Sequence, residues 1–242
     1  SRDWSSDVCS SDLRYENIDF EQLVEKIVEL PGDFRLRIGS IEPEGFGDRL
    51  FDLFSHPKLT PHLHLCLQSG SDKILLKMRR MYSVGSFYSI VKKVRNRFPD
   101  FNFTTDIILG FPGETEEDFR QTVNLARKIG FGHIHTFKYS VRQGTRAERM
   151  TEQVPEKIKN QRSDFIRQVS DDQKRKYRLS LIGKEQTVLI EKIINGEAHG
   201  YGEHYVPVKF AALSSKTNEF VKVKLVSLEK GSDPELVGEV MN

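Results

Sequence analysis

Apolar positions along the first 140 residues alternate between two spacings. In some segments they return every three or four residues, as Leu23 and Ile27 do, which is the spacing of an amphipathic helix. In others they form short, nearly continuous runs such as DIILGF, which is typical of strands buried on both faces. The pattern predicts helices over residues 21–30, 47–56, 71–81, 86–98 and 115–129 and strands over residues 34–43, 62–68, 101–111 and 132–140.

This alternation of strand and helix predicts an α/β fold with a parallel sheet or barrel. Ligands of such folds bind at the carboxyl ends of the strands. All four of these ends are polar, small or Gly-bearing, and they read SIEP, LQSGS, LGFPGE and KYSVRQGT. We therefore predict a ligand-binding rim at these ends, the alternative being that connecting loops are simply polar surface.

The pattern changes in the last third of the chain. Residues 155–182 predict one long basic helix that ends before Gly183. Short segments separated by turn residues follow and predict a small all-β barrel of the OB-like kind. We place a domain boundary near residue 183, which divides the chain into domains over residues 14–183 and 184–242.

Composition excludes several classes of protein. The chain has 242 residues, of which 37% are hydrophobic and 30% charged, as in ordinary globular proteins. No apolar run approaches the roughly 20 residues of a membrane span. Two cysteines cannot form a disulfide framework, so a reducing, cytoplasmic location is expected. The net charge of +2 says little about partners.

Four motifs carry a specific resemblance. In chain order they are RLRIGSIEP, LQSGSDKILLKMRR, TTDIILGFPGETEEDF and FKYSVRQGTRAERM. Together they resemble the radical S-adenosylmethionine methylthiotransferases over roughly residues 20–242. The resemblance implies a partial (β/α) barrel followed by a small RNA-binding TRAM barrel. It also implies an enzyme that cleaves S-adenosylmethionine with a 4Fe-4S cluster and inserts sulfur and a methyl group into an unactivated C–H bond.

Three further stretches resemble one branch of that family most, namely HLHLCLQSGSDKILLKMRRMY, EQVPEKIKNQR and GYGEHYVPVKF. This branch converts N6-threonylcarbamoyladenosine next to the tRNA anticodon to its 2-methylthio form. The implied partners are the tRNA anticodon arm and S-adenosylmethionine. The branches that act on isopentenyladenosine or on a ribosomal protein stay open, as does a non-catalytic RNA-binding module, although LQSGS argues against the ribosomal-protein branch.

The sequence departs from the family at its cluster loop. The family holds its cluster with Cys-x3-Cys-x2-Cys, whereas this chain has only Cys9 and Cys66. Residues 3–13, DWSSDVCSSDL, match one reading frame of a common sequencing adapter. We therefore expect residues 1–13 to be an artefact joined to a truncated gene, and the fragment to be inactive by itself. A genuine polar tail is the alternative.

The resemblance and the strand ends together imply a set of residues that bind S-adenosylmethionine. Polar side chains would hold the ribose and amino group, an arginine would pair with the carboxylate, and an apolar strand would support the adenine. Each of these residues could instead serve a turn or a solvated helix face. The implied residues are Ser40, Glu42, Gln68, Ser69, Arg79 or Arg80, Ile108 and Gly110.

Basic residues outnumber acidic ones about two to one between Lys138 and Lys184, and KRKYR at 174–178 is the densest part. Such a patch attracts phosphates, although a solvated helix face explains it as well. The last domain is acidic and would need particular aromatic and polar side chains to bind RNA, unless these form its core. The predicted RNA-binding residues are Lys174, Arg175, Lys176, Arg178, Tyr201, His204, Tyr205 and Lys209.

Two strands carry alternating histidines. His62, His64 and Cys66 share one face of a predicted strand, and His133 and His135 share a face of another. Such groups can bind zinc or iron. Alternation alone does not bring ligands together, however, so we predict that these side chains line the barrel interior and assign no metal ligand and no catalytic residue.

Overall fold

The computed structural model describes residues 18–44, 46–212 and 215–241. The adapter-like segment 3–13, with Cys9, lies outside the described residues, and so does the start of the predicted first domain at residues 14–17. Within the described ranges no helix is both long enough and apolar enough to cross a membrane.

The first part of the chain is a parallel sheet covered by helices, which agrees with the predicted α/β class. Four strands lie side by side in chain order, and each neighbouring pair is parallel. The sheet is open rather than closed into a barrel over the described residues. The strands are β1 (Ser40–Ile41), β2 (His62–Leu65), β3 (Asn102–Leu109) and β4 (His133–Lys138), and the helices are α1 (Phe20–Val28), α2 (Asp48–Leu53), α3 (Asp72–Lys77), α4 (Val84–Arg97) and α5 (Glu116–Ile129).

Local signals fix where the helices begin and end. Helix α5 begins with a capping box in which Thr115 and Asp118 each satisfy the other's backbone N–H, as their spacing predicts. It ends at Gly130, whose φ of +67° is the left-handed conformation that glycine adopts most easily. Ser71 stands at the N-cap of α3, but its hydroxyl donates to Asp118 Oδ1 at 2.8 Å instead of capping the helix.

The first strand is much shorter than the prediction over residues 34–43. Only Ser40–Ile41 pair with β2, and Leu36 forms a separate parallel bridge with Leu59. Arg35 points away from this sheet, and its guanidinium donates to the backbone carbonyls of Tyr201 and Thr187. The segment is therefore shared between the sheet and the second part of the chain, which a strand pattern read locally cannot reveal.

Helix α6 (Glu156–Ser180) joins the sheet to a closed five-stranded barrel. Around the barrel the order is β5-β6-β7-β9-β8, and all neighbours are antiparallel except β7 and β9. Inward positions such as Val188, Phe210 and Leu225 are apolar and fully buried. The barrel strands are β5 (Glu185–Ile194), β6 (Glu197–Tyr201), β7 (Pro207–Ala211), β8 (Phe220–Leu228) and β9 (Leu236–Val240).

Two separate apolar cores support these two parts. One lies between the sheet and its helices and includes Ile166 and Val169 from α6. The other fills the barrel and includes Leu181, just beyond the end of α6. Helix α6 therefore packs side chains into the first core, and the residue that directly follows it packs into the second.

The barrel docks against the amino ends of the sheet strands. Asn102, the first residue of β3, donates from Nδ2 to the backbone carbonyl of His204 at 2.8 Å. On α6, Arg178 donates to the carbonyl of Pro234 at 2.6 Å and pairs with Asp233 at 2.9 Å. The Asn102 bond holds the turn over residues 202–206 against the sheet, and the Arg178 contacts attach the loop at residues 233–234 to α6.

Candidate functional site

A cavity of about 660 Å³ lies on one face of the sheet, here called its inner face; the other face carries the apolar side chains that form the first core. The strands line it with polar side chains at alternate positions, and the barrel and α6 line its lower part. In a filled core this face would be apolar, so its polarity indicates a surface for water or a ligand. From the sheet the lining residues include Ser40, His62, His64, Asn102, Thr104, Asp106, His133 and His135.

Thr104 organises two of the histidines. Its hydroxyl lies 3.1 Å from His62 Nε2 and 3.0 Å from His64 Nδ1, so one hydroxyl bridges both rings. The other ring nitrogen of His64 lies 3.2 Å from Asp106 Oδ1. His135, paired in register with Asp106, places its ring 5.5 Å from that of His64. The histidines thus share the face of the sheet that lines the cavity, although over the described residues the sheet is open rather than a closed barrel and His135 is exposed.

Burial favours the neutral form of three cavity histidines, His62, His133 and His135, at pH 7. It lowers the pKa of His62 to about 3, with further lowering from the charges of Arg37 and His64. Burial likewise lowers the pKa of His133 to about 4 and reduces the pKa of His135. A neutral imidazole has one nitrogen that donates and one that accepts, so this wall can bind polar groups of either kind.

An aromatic surface stands at the lower edge of the cavity. Tyr201 and Tyr205 stack with ring centroids 4.7 Å apart and planes 16° apart, so the structure brings these two predicted residues together. The guanidinium carbon of Arg37 lies 4.1 Å from the centre of the Tyr205 ring. Tyr205 has a φ of +55° within a turn closed by Gly202 and Val206, which fixes its ring in place. Stacked tyrosines with an adjacent guanidinium suit an unpaired base.

His204 lies in the same turn but faces elsewhere. Its ring is bonded to the amide of Gln186, at 3.0 Å, and its carbonyl accepts the bond from Asn102. Burial lowers the pKa of His204. This predicted RNA-binding residue therefore helps to join the barrel to the sheet.

The basic cluster of α6 divides between two faces. Arg175 and Lys176 are exposed, whereas Lys174 and Arg178 are buried and both pair with Asp233. The first two therefore present their charge to solvent, and the other two direct theirs at the barrel. In the barrel, the predicted residue Lys209 pairs with Glu197 at 3.1 Å and Glu229 at 2.8 Å.

The predicted rim residues near β1 remain accessible. Ser40 is exposed and lines the cavity. One residue beyond the strand, Glu42 forms an ion pair with Arg80, and both side chains are partly exposed. The pair presents an anion and a cation side by side, which suits a zwitterionic amino-acid group.

The next two predicted residues are buried in the sheet. Gln68 has a φ of +63°. Its N–H donates to the carbonyl of Asp106 and its carbonyl accepts from the N–H of Ile108, both at 2.9 Å, so its backbone is bonded to β3. Ser69 is 1% exposed, and its hydroxyl accepts from the N–H of Ser71 at 3.2 Å. In the described conformation the backbone of Gln68 and the hydroxyl of Ser69 serve local structure.

At the end of β3, Ile108 is half-buried and offers apolar surface, whereas Gly110 is needed for packing. Gly110 has a φ of +72°, and a Cβ there would lie 2.3 Å from Lys159 Cγ. Its N–H donates to Glu114 at 2.7 Å, and Glu114 pairs with Arg162 at 2.7 Å. Helix α6 is thus packed against this strand end, so the glycine makes room for a helix.

Several lining residues were missed from the sequence, among them Asn102, Thr104, Asp106 and Arg37. Thr104 and Asp106 alternate with Asn102 along β3, and Arg37 precedes β1. The period-two spacing of NFTTD marks Thr104 and Asp106 as sharing a face. Arg37 carries no such signal, because its role depends on the docked barrel.

Comparison with known proteins identifies the first part of the chain. Residues 11–126 match the model of the Radical SAM superfamily. This segment is a Radical SAM domain. A solved radical SAM enzyme, coproporphyrinogen III oxidase (HemN) from Escherichia coli, shares the fold at a TM-score of 0.50 and 15% identity, over 62% of this chain and 37% of that one.

Relatives of this radical SAM chain are named as tRNA methylthiotransferases. It is 42% identical over 211 residues to threonylcarbamoyladenosine tRNA methylthiotransferase MtaB of Thermotoga maritima, covering 86% of this chain and 48% of that protein. It is 36% identical over 229 residues to tRNA-2-methylthio-N(6)-dimethylallyladenosine synthase of Anaplasma marginale, covering 91% and 50%. The chain therefore spans about half the length of the curated relatives it matches.

The superfamily uses S-adenosylmethionine and a 4Fe-4S cluster, and the two groups fit the described residues differently. The Glu42–Arg80 pair, Ser40 and Ile108 offer the charges, hydroxyl and apolar surface that S-adenosylmethionine requires. A cluster requires several thiolates, and Cys66 is the one cysteine within the described ranges. The described residues therefore do not supply enough thiolates to hold a 4Fe-4S cluster.

Proposed function

We propose that this chain belongs to a tRNA methylthiotransferase that acts on N6-threonylcarbamoyladenosine next to the anticodon. The observation that carries the proposal is the 42% identity, over 86% of the chain, to the Thermotoga maritima enzyme of that name. The product would be the 2-methylthio derivative, and the site of action the cytoplasm. Since the chain spans about half of such relatives, we assign the cluster ligands to a part of the enzyme outside these 242 residues.

In this proposal the carboxyl ends of the strands hold the cofactor. When bound, S-adenosylmethionine supplies the hydrogen-abstracting radical and the methyl group. Arg80 would bind its carboxylate and Glu42 its amino group, so that their mutual ion pair opens toward the ligand. Ser40 would bind the ribose, and Ile108 would support the adenine. Gln68, Ser69 and Gly110 would shape the rim through their backbones.

The barrel would serve as an OB-like TRAM module that binds RNA. Its strand order, with a single parallel pair between β7 and β9, supports this assignment. Tyr201, Tyr205 and Arg37 would stack on an unpaired base, while Arg175 and Lys176 would bind phosphates. RNA bound in this way would run along one side of the cavity.

A second candidate substrate is the dimethylallyl-bearing adenosine. The relative from Anaplasma marginale carries that activity in its name and matches 91% of the chain. Its lower identity, 36%, places it second.

Mass spectrometry of tRNA nucleosides separates the two candidates. We expect that deleting the gene removes 2-methylthio-N6-threonylcarbamoyladenosine and leaves its unmethylthiolated precursor. The full-length gene should restore the product, and the same gene with Arg80→Ala should not. As a matched control, Arg120→Ala changes an exposed arginine on α5 and should restore it fully. Loss of the dimethylallyl product instead would support the second candidate, and unchanged nucleosides would refute both.

A further inference from the structure

We propose that His64, Cys66 and Asp106 form a binding site for a divalent transition-metal cation of the zinc class. One ligand atom from each residue lies within 4.8 Å of the other two. Ligand atoms around a tetrahedral zinc lie about 3.4 to 3.7 Å apart, given its bond lengths of about 2.0 to 2.3 Å. Small rotations of the side chains would close this difference. The site belongs to the wall of the cavity, and the proposal is independent of the proposed function.

The fold itself produces this convergence. His64 lies in β2, and Cys66 is the first residue beyond it, where its N–H still donates to the carbonyl of Ile41 in β1 at 3.1 Å. Because the two residues are two positions apart in extended chain, their side chains share a face. Asp106 lies on the neighbouring strand β3, whose register pairs Thr104 with His64. The parallel pairing therefore sets three potential ligands on one patch of rigid sheet, which a metal site needs for defined geometry.

One buried ring nitrogen among these three residues, His64 Nε2, makes no hydrogen bond that satisfies distance and angle. His64 is 8% exposed, and its Nε2 has no hydrogen-bond partner among the described residues, although Asp106 Oδ1 lies 3.2 Å away. Its other ring nitrogen is bonded to Thr104 Oγ1 at 3.0 Å. Metal-binding histidines commonly have this arrangement, in which the second nitrogen is fixed by a hydrogen bond and the first is directed at the ion.

The charges and donor types also match a zinc-class cation. Cys66 would bind as thiolate and release its proton, so that thiolate and the Asp106 carboxylate together balance a 2+ charge. A set of sulfur, imidazole nitrogen and carboxylate oxygen suits zinc better than calcium or magnesium, which prefer oxygen alone. The cavity adjoins His64 and Asp106, so a fourth position is open to water or to His135, whose ring is 5.5 Å from that of His64.

Cobalt binding tests the site directly, because Co²⁺ takes zinc positions and, unlike Zn²⁺, absorbs visible light. We expect metal-free chain titrated with Co²⁺ to bind one ion, with visible bands of a tetrahedral site and a near-ultraviolet thiolate band. Excess Zn²⁺ should bleach both. Cys66→Ser should abolish the thiolate band, while the matched control Cys9→Ser should leave it intact.

Further variants test the nitrogen and oxygen ligands. His64→Gln and Asp106→Asn should each weaken binding at least about 10-fold, and Thr104→Val should weaken it about 10- to 100-fold through the His64 ring. His56→Gln, which changes a histidine outside the cavity, should have no effect. Circular dichroism shows whether each variant is folded.

A measurement on the unmodified chain avoids any folding defect in variants. Zinc should slow alkylation of Cys66 by N-ethylmaleimide, as followed by peptide mass spectrometry, and should leave Cys9 equally reactive. The proposal is overturned if no thiolate–cobalt band forms, if the band depends on Cys9, or if zinc fails to protect Cys66.

Discussion

The sheet and the barrel use their inner faces in opposite ways. Inside the barrel, positions such as Val188 and Phe210 are apolar and buried, so the strands close around a filled core. On the inner face of the sheet, His62, Thr104 and Asp106 line a cavity instead. The barrel therefore has only its outer surface open to a partner, whereas the sheet also has a polar inner face that is open.

The two parts also differ in where they place ionic groups. The sheet and its helices bury the Arg162–Glu114 pair, with side chains 7% and 1% exposed. The barrel's own pair between Lys209 and Glu197 is more exposed, at 18% and 49%. The sheet should accordingly depend more on charge and pH for its stability, and the barrel more on apolar packing.

The largest effect should come from truncating an aromatic residue in either core. Phe103→Ala in the sheet and Phe210→Ala in the barrel should each reduce the free energy of unfolding of their own part by about 3–5 kcal/mol, because each leaves a cavity in a packed core. Hydrogen exchange resolved by peptide measures both parts at once. If either variant reduced protection equally in both parts, the sheet and the barrel would unfold as a single cooperative unit. Their stabilities could then not be assigned to separate cores.

Breaking the buried ion pair should cost nearly as much. Arg162→Met should reduce the free energy of unfolding by about 3 kcal/mol at pH 7, because it leaves Glu114 buried without its cation. Burial raises the pKa of Glu114 above its ordinary value, the partly opposing influences being the N–H of Gly110 and the charge of Arg162.

The same variant should show a pH dependence of defined sign. A carboxyl group whose pKa is higher in the folded than in the unfolded protein stabilises the fold when it is protonated. For Glu this stabilisation is complete below the pKa of the unfolded state, near 4.3, and is lost as pH rises. The cost of Arg162→Met should therefore shrink as pH falls from 7 toward 4, in urea unfolding at each pH. The double variant Arg162→Met with Glu114→Gln should show no such recovery, and a cost independent of pH in the single variant would contradict the prediction.

Asp118 should give a smaller effect with the opposite pH sign. Desolvation acts to raise its pKa, but hydrogen bonds from Lys73, Thr115 and Ser71 outweigh this and hold the pKa well below its ordinary range. Its stabilisation is thus present above the unfolded pKa, near 3.9, and is lost as pH falls below it. Asp118→Asn should cost about 1–2 kcal/mol at pH 7 and reduce the loss of sheet protection in acid.

Hydrogen exchange between pH 5 and pH 3 checks this. The sheet should lose protection before the barrel in the unmodified chain. If the barrel opens first, or if Asp118→Asn leaves the acid response of the sheet unchanged, the assignment of acid sensitivity to this carboxylate is wrong.

The smallest effect concerns the two faces of α6 in RNA binding. Arg175→Gln with Lys176→Gln should leave the unfolding free energy unchanged but lower the salt slope of binding to an anticodon stem-loop by about 1.5, for two lost phosphate contacts. Lys174→Gln should instead weaken the joint with Asp233 and leave the slope nearly constant. Fluorescence anisotropy at several salt concentrations measures the slopes, and equal slopes for both variants would refute the division into faces.

Periodicity alone was sufficient for much of the fold. The Thr115 capping box, the helix up to Gly130 and the alternating face of β2 were all visible locally, because each depends on residues a few positions apart. The family motifs supplied the superfamily, which the match over residues 11–126 bears out.

Tertiary docking explains what the sequence did not reveal. The short β1 and the orientation of Arg37 depend on a barrel that lies 150 or more residues away. Lys174 and Arg178 belong to a dense basic run, but their shared partner Asp233 lies on a distant loop, so this pairing has no local sign. The additional pair between Lys174 and Asp171, three residues earlier on α6, is the one that local spacing indicates. The convergence of His64, Cys66 and Asp106 likewise needs the register between two strands.

The joint between sheet and barrel has an evolutionary consequence. In four hydrogen bonds across this joint, the donors are side chains, those of Arg35, Asn102 and Arg178. The acceptors are main-chain carbonyls of the barrel, at residues 187, 201, 204 and 234. Every amino acid carries such a carbonyl, so substitutions on the barrel's docking face need not disturb these bonds. Substitutions can therefore accumulate on the exterior of the barrel in one lineage after another while these bonds to the sheet are kept.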